Sequence, residues 1–262
     1  MTHARPRKRF GQHFLHDRAV IERILHAFDP RPGQVIVEIG PGRGALTLPL
    51  LERAGALHAI ELDRDLAARL PALAAGRGDL IVHQTDALAF DFSALAENKR
   101  LRVIGNLPYN ISSPLLFHLI EHAGTVEDMV FMLQKEVADR LAAMPGTKAY
   151  GRLSVMIQAR FEVEHLLDVG PDAFHPPPQV HSSVIRLRPR PAGAIDLKDP
   201  QRFGLIVRSA FAQRRKTLRN SLRALIDETG FAGAGIDAAR RAEDLTVADY
   251  VRLSEEAIKS EK

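Results

Sequence analysis

Two stretches of this 262-residue chain carry side chains whose types and spacing suit chemistry. In the first, Glu38-Ile39-Gly40-Pro41-Gly42-Arg43-Gly44-Ala45 follows the apolar run Val35–Ile39. Glycines there let the backbone turn sharply and let a ligand approach where a Cβ would collide. Gly40, Gly42 and Ala45 satisfy the G-x-G-x-x-G/A spacing, and Glu61 stands where such a loop needs an acid for a ribose. A nicotinamide dinucleotide and S-adenosylmethionine both carry that ribose, so the loop alone leaves the two cofactors open. Asp86, in Gln84-Thr85-Asp86-Ala87, could accept a hydrogen bond from an adenine amino group, but by itself it reads more readily as a helix cap.

The second stretch, Ile104-Gly105-Asn106-Leu107-Pro108-Tyr109-Asn110-Ile111-Ser112, puts an amide, a proline and an aromatic at the end of another apolar run. A nucleotide dehydrogenase has no need of that set, whereas an enzyme that methylates an exocyclic amino group does. The amino nitrogen of adenine is a poor nucleophile because its lone pair is delocalised into the ring. Acceptors for both its N–H bonds, the Asn106 side-chain oxygen and a backbone carbonyl at Leu107 or Pro108, favour a pyramidal nitrogen whose lone pair points at the methyl donor. Pro108 fixes φ and offers no competing N–H. Tyr109 can stack on the base and hold it in line for displacement. No general base is needed before attack, because the proton leaves after nitrogen becomes cationic.

These loops require strands to present them. Apolar runs at Val35–Ile39, Leu57–Glu61, Leu80–Gln84, Leu101–Gly105 and Met129–Leu133 alternate with helical patterns at Ala45–Ala54, Asp65–Leu73, Ser112–His122, Lys135–Ala143 and Leu153–Ala159. Phe161–Val169 and Val180–Leu187 read as a closing pair of strands. The alternation predicts βαβ units and a mostly parallel sheet with ligands at the carboxyl ends of its strands. Pro189–Asp199 reads as a linker, and beyond it only helical patterns occur, at Pro200–Ala212, Arg215–Asp227 and Val247–Ile258. Thr246 and Asp249 suit the start of the last helix, and Gly230 the end of the one before. The expected division is 1–188 for the α/β domain and 189–262 for the linker and a small all-helical domain.

Composition narrows the chemistry further. With no cysteine there is no thiolate nucleophile, disulfide or thiolate metal site, which argues against methylation of a pyrimidine at carbon 5. The 11 histidines show no metal-ligand spacing, so no metal is expected. No stretch approaches the ~18 apolar residues of a membrane span, and no apolar signal core follows the basic start, so a cytoplasmic protein is expected. Net charge is only +4, but it is unevenly spread. Arg7, Lys8 and Arg9 form one basic cluster. Between Gln201 and Ile226 there are seven basic residues, among them Arg214, Arg215, Lys216, Arg219 and Arg223, and no acidic one. Such clusters suit a polyanion, although a solvated helix face would look the same.

Taken together, Gly11-Gln12-His13-Phe14-Leu15, Glu38 to Gly44, Glu61, Asp86, Asn106-Leu107-Pro108-Tyr109 and Phe174 to Ser182 resemble, in order and spacing, the ribosomal RNA adenine N6-dimethyltransferase family, and within it the bacterial small-subunit enzymes. The resemblance implies a Rossmann-like, seven-stranded S-adenosylmethionine-dependent methyltransferase domain with its last strand antiparallel. It implies dimethylation of two adjacent adenosines near the 3′ end of 16S rRNA in the small (30S) ribosomal subunit. With no strong apolar self-association helix evident, a monomer with no membrane partner is expected. Carried over by position, His13 and Leu15 would line the cofactor site and Gly40 and Gly42 would cradle the cofactor. Glu61 would take the ribose hydroxyls and Asp86 the adenine amino group. Asn106 would face both cofactor and target, with Leu107, Pro108 and Tyr109 completing the catalytic loop and Phe174 stacking on the base opposite Tyr109. The family often has Asn where this chain has His13. The basic residues at 7–9 and 214–223 would bind RNA.

Three other readings compete. An oxidoreductase would need a nicotinamide-side catalytic pair that is absent. A ribosome-assembly factor without catalysis would not need Glu61 and Asn106. A large-subunit methyltransferase of the macrolide-resistance type fits the basic appendage and the Phe174–Ser182 segment less well.

Overall fold

The computed structural model describes residues 13–96 and 99–259. The N-terminal half alternates as expected. β1 (Phe14–Leu15) and α1 (Arg18–Phe28) precede β2 (Val35–Ile39), α2 (Thr47–Ala54) and β3 (Ala56–Glu61). The short helices α3 (Arg64–Ala67) and α4 (Leu70–Ala74) lead to β4 (Asp79–Gln84), α5 (Ser93–Ala96) and β5 (Leu101–Asn106). Then come α6 (Ser112–Glu121), β6 (Val126–Gln134), α7 (Lys135–Ala142), α8 (Arg152–Gln158), β7 (Phe161–Val169), β8 (Phe174–His175) and β9 (Ser182–Pro189). Seven strands form one sheet in the order β4-β3-β2-β5-β6-β9-β7, and β1 pairs with β8 in a separate two-stranded ribbon.

The pairs β2–β3, β2–β5, β3–β4 and β5–β6 are parallel, whereas β9, the last strand in the chain, runs antiparallel to β6. This is the Rossmann-like order, and it puts the ends of β2, β3, β4 and β5 on one edge. The central strands are short apolar runs because both faces of a parallel sheet are covered. Ile36, Val37, Ile39, Val103 and Ile104 are all buried. Between β2 and β5 the chains approach so closely at Gly105 that a Cβ would lie 2.5 Å from the Ile39 carbonyl oxygen. That position admits only glycine without moving a strand.

The chain forms two compact units. One runs to Ala138 and resumes at Val163–Pro189; the other takes Asp139–Glu162 together with Arg190 onward. The boundary expected at 188/189 lies one residue before the second stretch, which begins at Arg190, and the expected division did not include 139–162 in the helical unit. In that unit α9 (Pro200–Ala212), α10 (Leu218–Ser221), α11 (Glu228–Ala234) and α12 (Val247–Lys259) surround a core of Tyr150, Phe203, Ile206, Val207, Leu222 and Tyr250. Asp199 caps α9, accepting from the Arg202 N–H at 2.9 Å, with Pro200 in the first turn. Thr246 and Asp249 cap α12 reciprocally, at 2.8 and 3.2 Å.

Four local expectations differ from what is observed. The sequence pattern missed α1, which Asp17 starts by accepting from the Ala19 and Val20 N–H groups. The single helix expected over Asp65–Leu73 is broken into α3 and α4, and Pro71, at the start of α4, has no N–H to continue the ladder. The helix expected over Arg215–Asp227 reduces to α10, because Thr217 is extended and the N–H groups of Leu218 and Arg219 donate to the 238–240 segment instead. Gly230 does not end a helix but lies in the first turn of α11, where its N–H is capped by Asp227 at 2.8 Å.

Candidate active site

The carboxyl ends of β2, β3, β4 and β5 open into one cleft, of about 1090 Å³ counted out to the solvent. Ten of the residues singled out from sequence line it: His13, Leu15, Gly40, Gly42, Glu61, Asp86, Asn106, Leu107, Pro108 and Tyr109. They converge because each closes a strand or starts the loop after it, so the parallel sheet gathers them at one edge.

Glu61 ends β3 and is held at both oxygens. Oε2 accepts from the Gly42 N–H at 3.1 Å and Oε1 from the Asp63 N–H at 2.9 Å. The Leu62 N–H is a third backbone donor to this carboxylate, whose remaining acceptor capacity faces the cleft. Burial pushes this carboxyl above the usual range, and the N–H donors of Asp63 and Gly42 oppose that rise. Gly42 has φ +56°, and a Cβ there would meet the Phe14 ring at 3.3 Å. The N-terminal segment therefore lies directly over the glycine loop. It is fastened there by β1–β8 pairing, Phe14 opposite His175 and Leu15 opposite Phe174, and by the His16 N–H donating to Ala173 O at 2.9 Å. The Arg43 guanidinium lies 4.2 Å from the Phe14 ring centroid, a cation–π contact that adds to the fastening.

Asp86 acts as a cap and also lies on the cleft. One oxygen caps the following turn, accepting from the Leu88 N–H at 2.9 Å, while the residue still lines the cleft.

The β5 loop has the most specific geometry. Asn106 Nδ2 donates to the His13 carbonyl at 3.0 Å, so the amide is oriented and its Oδ1 is left as the acceptor. The Pro108 carbonyl already accepts from the Ile111 N–H at 3.2 Å and the Ser112 hydroxyl at 3.0 Å. Of the two carbonyls considered for the second amino hydrogen, that of Leu107 is the one without such partners among the described residues. Tyr109 Oη lies 2.8 Å from Ser182 Oγ, and its ring stacks on His13 with centroids 5.5 Å apart and planes at 30°. The His13 Nδ1 is 2.8 Å from the Pro176 carbonyl.

Phe174 departs from expectation. It is 2% exposed, packs in the core with Leu15, Val169 and Val184, and does not line the cleft. Its strand pairs with β1, and that pairing turns the ring inward, so Phe174 cannot stack on a base in this conformation. The ring that covers Tyr109 is His13.

Sequence reasoning did not assign roles to Glu38, Leu62 or Ser182. Leu62, 48% exposed, follows Glu61 on the cleft wall and offers an apolar surface to a planar base. Glu38, 1% exposed, accepts a 2.6 Å bond from the Thr47 hydroxyl. Burial raises its pKa to about 8, the Thr47 bond opposes the rise, and Glu61 nearby adds to it. A folded-state pKa above the unfolded value makes the folded state bind the extra proton between the two. Stability from Glu38 is therefore full below about pH 4.5 and is lost as pH rises towards about 8. His58, His83 and His122, whose pKa values are lowered by burial, act in the opposite sense. Comparison with Glu38→Gln cancels their contribution. Wild-type Tm is expected to fall more than that of Glu38→Gln between pH 5.5 and 7.5, in scanning calorimetry; parallel curves would show that Glu38 is already ionised.

The basic residues divide. Arg7, Lys8 and Arg9 lie outside the described residues. Arg214 is engaged internally, donating to the Tyr150 and Lys148 carbonyls at 3.1 and 3.2 Å and pairing with Glu243 at 3.3 Å. Arg219 pairs with Glu228 at 2.9 Å. Lys216 and Arg223 instead line a polar depression with Ser209, Gln213, Asn220 and Ser221 and no acidic residue. Arg215 is exposed beside it.

Comparison with known proteins agrees with this geometry. A family model described as ribosomal RNA adenine dimethylase matches residues 3–259. Ribosomal RNA small subunit methyltransferase A of Xanthomonas campestris pv. campestris (strain 8004) is 57% identical over 248 residues, 95% of each chain. The protein of the same name from Xylella fastidiosa (strain 9a5c) is 56% identical over 256 residues, 97% of each chain. Among solved structures, a dimethyladenosine transferase from Plasmodium falciparum superposes with a TM-score of 0.82 at 26% identity, covering 95% of this chain and 98% of the other. The 23S rRNA methyltransferase ErmE gives 0.70 at 28% identity, covering 94% and 99%.

Proposed function

The chain belongs to the ribosomal RNA adenine dimethylase family, and from that premise we propose that it dimethylates the N6 amino groups of two adjacent adenosines near the 3′ end of 16S rRNA in the small ribosomal subunit. It acts in the cytoplasm as a monomer. The observation that carries the reading is the oriented Asn106 amide, whose nitrogen is committed to His13 O while its oxygen remains an acceptor. The identity of 57% to small subunit methyltransferase A, against 28% to the large-subunit enzyme ErmE, supports the small-subunit substrate.

The cleft suits S-adenosylmethionine. Its side chains are acidic where a ribose and an adenine amino group need acceptors, at Glu61 and Asp86, and Gly42, at φ +56°, turns the loop under Phe14 in a conformation that side-chain-bearing residues rarely adopt. When bound, S-adenosylmethionine supplies an electrophilic methyl group on a sulfonium sulfur. The chain's own residues do the rest. Asn106 Oδ1 and the Leu107 carbonyl accept the two amino hydrogens of a flipped-out adenine, which localises the lone pair on N6. Tyr109 stacks on the base and keeps N6 in line, a contact of ~1–3 kcal/mol. Rate enhancement comes from positioning and fixed dipoles, with no base needed before attack. After one transfer the monomethylated amine still carries one hydrogen, and one acceptor suffices to orient it for the second.

Lys216, Arg223 and Arg215 form the RNA-phosphate face of the helical unit, and Arg7, Lys8 and Arg9 add a second basic contact. Arg214 and Arg219 support that face through their ion pairs. Phosphate contacts release counterions, so each one lost lowers the salt dependence of binding by about 0.7–0.9 in log–log slope. The Lys216→Ala, Arg223→Ala double variant is expected to bind the subunit more weakly, with a slope smaller by about 1.5 in a titration between 50 and 200 mM salt. An unchanged slope would remove both residues from the interface.

The direct test is transfer of radiolabelled methyl groups to purified small subunits that lack the modification, with nucleoside analysis. N6-dimethyladenosine at close to four methyl groups per particle is expected from two doubly methylated adenosines. Labelling confined to large-subunit RNA would move the protein to the resistance-type branch.

A further inference from the structure

The loop that carries Tyr109 is tied to the sheet through a side chain that the reaction as described does not use. Ser182 is the first residue of β9, 0% exposed, and lies opposite Gln134 of β6 in the antiparallel register. Next to it the Lys135 N–H donates to the His181 carbonyl at 2.9 Å, so the backbone is fixed on both sides of the Ser182 side chain. Tyr109, by contrast, sits in the turn between β5 and α6 and belongs to no ladder. Its phenol oxygen is 2.8 Å from Ser182 Oγ. One face of its ring is covered by His13, which is itself held at 2.8 Å to the Pro176 carbonyl. The ring is thus gripped at its para oxygen and on one face.

We propose that Ser182 is a positioning residue for the target base: its hydroxyl, anchored by the sheet, holds the Tyr109 ring between His13 and the adenine. The proposal rests on the reading that an adenine stacks on Tyr109. A tyrosine on a turn can change rotamer, and a base stacked on a swinging ring spends less time in line with the methyl donor. Tethering the phenol to a buried strand residue removes that freedom before the substrate arrives, while the two hydroxyls satisfy each other away from water. Burial pushes the Tyr109 phenol above its ordinary pKa, and the Ser182 bond opposes the rise, so the group remains a neutral donor or acceptor.

The test is a double-mutant cycle on methyl transfer with Ser182→Ala, Tyr109→Phe and the two combined, reading kcat, KM for the RNA and cofactor Kd separately. Each single variant is expected to lose roughly tenfold in kcat with cofactor Kd within about twofold. The double variant should be no worse than the worse single, because both changes delete the same hydrogen bond. A 2-aminopurine in place of the target adenine reports stacking without chemistry, and its fluorescence should be quenched less by Ser182→Ala than by wild type. The proposal is overturned by an undiminished kcat in either single variant, or by losses that multiply in the double. It is also overturned if Ser182→Ala loses thermal stability and cofactor affinity together, since Ser182 would then hold up the fold. Wild-type protein that transfers nothing to ribosomal RNA would instead sink the proposed activity, and the 2-aminopurine comparison would still judge the tether.

Discussion

Asn106→Ala is expected to lower the single-turnover rate of methyl transfer by about 100- to 1000-fold while cofactor Kd changes by less than about tenfold. The size follows from what the amide does. Its oxygen is one of two acceptors available for the amino hydrogens, and it is aimed because the nitrogen of the same amide is committed to His13 O at 3.0 Å. A fixed acceptor that meets charge as nitrogen becomes cationic acts in the transition state more than in the ground state, so its removal is felt in the rate. Asn106→Asp separates the two halves of the amide. It keeps an acceptor towards the cleft but replaces the donor to His13 by a carboxylate oxygen facing a carbonyl, so it should lose most of the activity as well. Glu61→Ala has the reverse signature. The ribose acceptor goes, and with it the bonds to the Gly42 and Asp63 N–H groups, so cofactor Kd should rise steeply while bound cofactor still reacts. Retained transfer by Asn106→Ala would remove Asn106 from the chemistry; unchanged cofactor affinity in Glu61→Ala would remove Glu61 from the ribose site.

Most of this site is legible in the sequence because its residues are tied to strand ends. An apolar run followed by glycines, or by Asn-Leu-Pro-Tyr, announces both a strand and the loop that must leave it, and the parallel sheet then gathers such loops without further information. Contacts made by residues distant in sequence leave no such mark. Nothing in the local pattern tells that the His13 carbonyl would orient Asn106, 93 residues away, or that Ser182 would hold Tyr109. Phe174 failed for the same reason: its neighbours suggest an exposed Pro-rich loop, but its pairing with Leu15 turns the ring into the core. In the helical unit the basic run was visible, whereas the pairing of Arg214 with Glu243 and of Arg219 with Glu228 depended on turns that the helical pattern concealed. Charges inside strands are the hardest case. Arg102 lies in a run read as apolar and Asp128 just before one, yet both are buried, at 7% and 6% exposure.

That buried pair sets the largest expected effect on stability. Arg102 Nε and Nη2 donate to the two oxygens of Asp128 at 2.7 and 2.8 Å. The remaining guanidinium donors reach the Phe28 carbonyl at 2.6 Å, the Asp29 carbonyl at 3.0 Å and Gln34 Oε1 at 3.1 Å. All five N–H groups are used, and the guanidinium also lies 4.3 Å from the Phe28 ring centroid. Arg186 adds a second cation 3.6 Å from Asp128. Asp128 therefore lies between two guanidiniums, the second of which also pairs with Glu164 at 3.5 Å, near the start of β5 and β6, where Arg102 fastens the end of α1 to the sheet. Asp128→Ala leaves the buried Arg102 without the carboxylate that its Nε and Nη2 donate to, while Arg186 keeps Glu164, and it is expected to cost about 3–5 kcal/mol, or roughly 10 °C in Tm. Arg102→Met on the same background removes the stranded charge and should restore part of the loss, a coupling that independent sites would not show. Because the cluster sits at the opposite ends of the strands from Asn106 and Glu61, methyl transfer by Asp128→Ala at 20 °C should stay within about twofold of wild type. A variant that melts within 2 °C of wild type would mean that water reaches the cluster and screens it; one that stays folded at 20 °C but is inactive would mean that the far ends of β5 and β6 set the geometry of the catalytic loop.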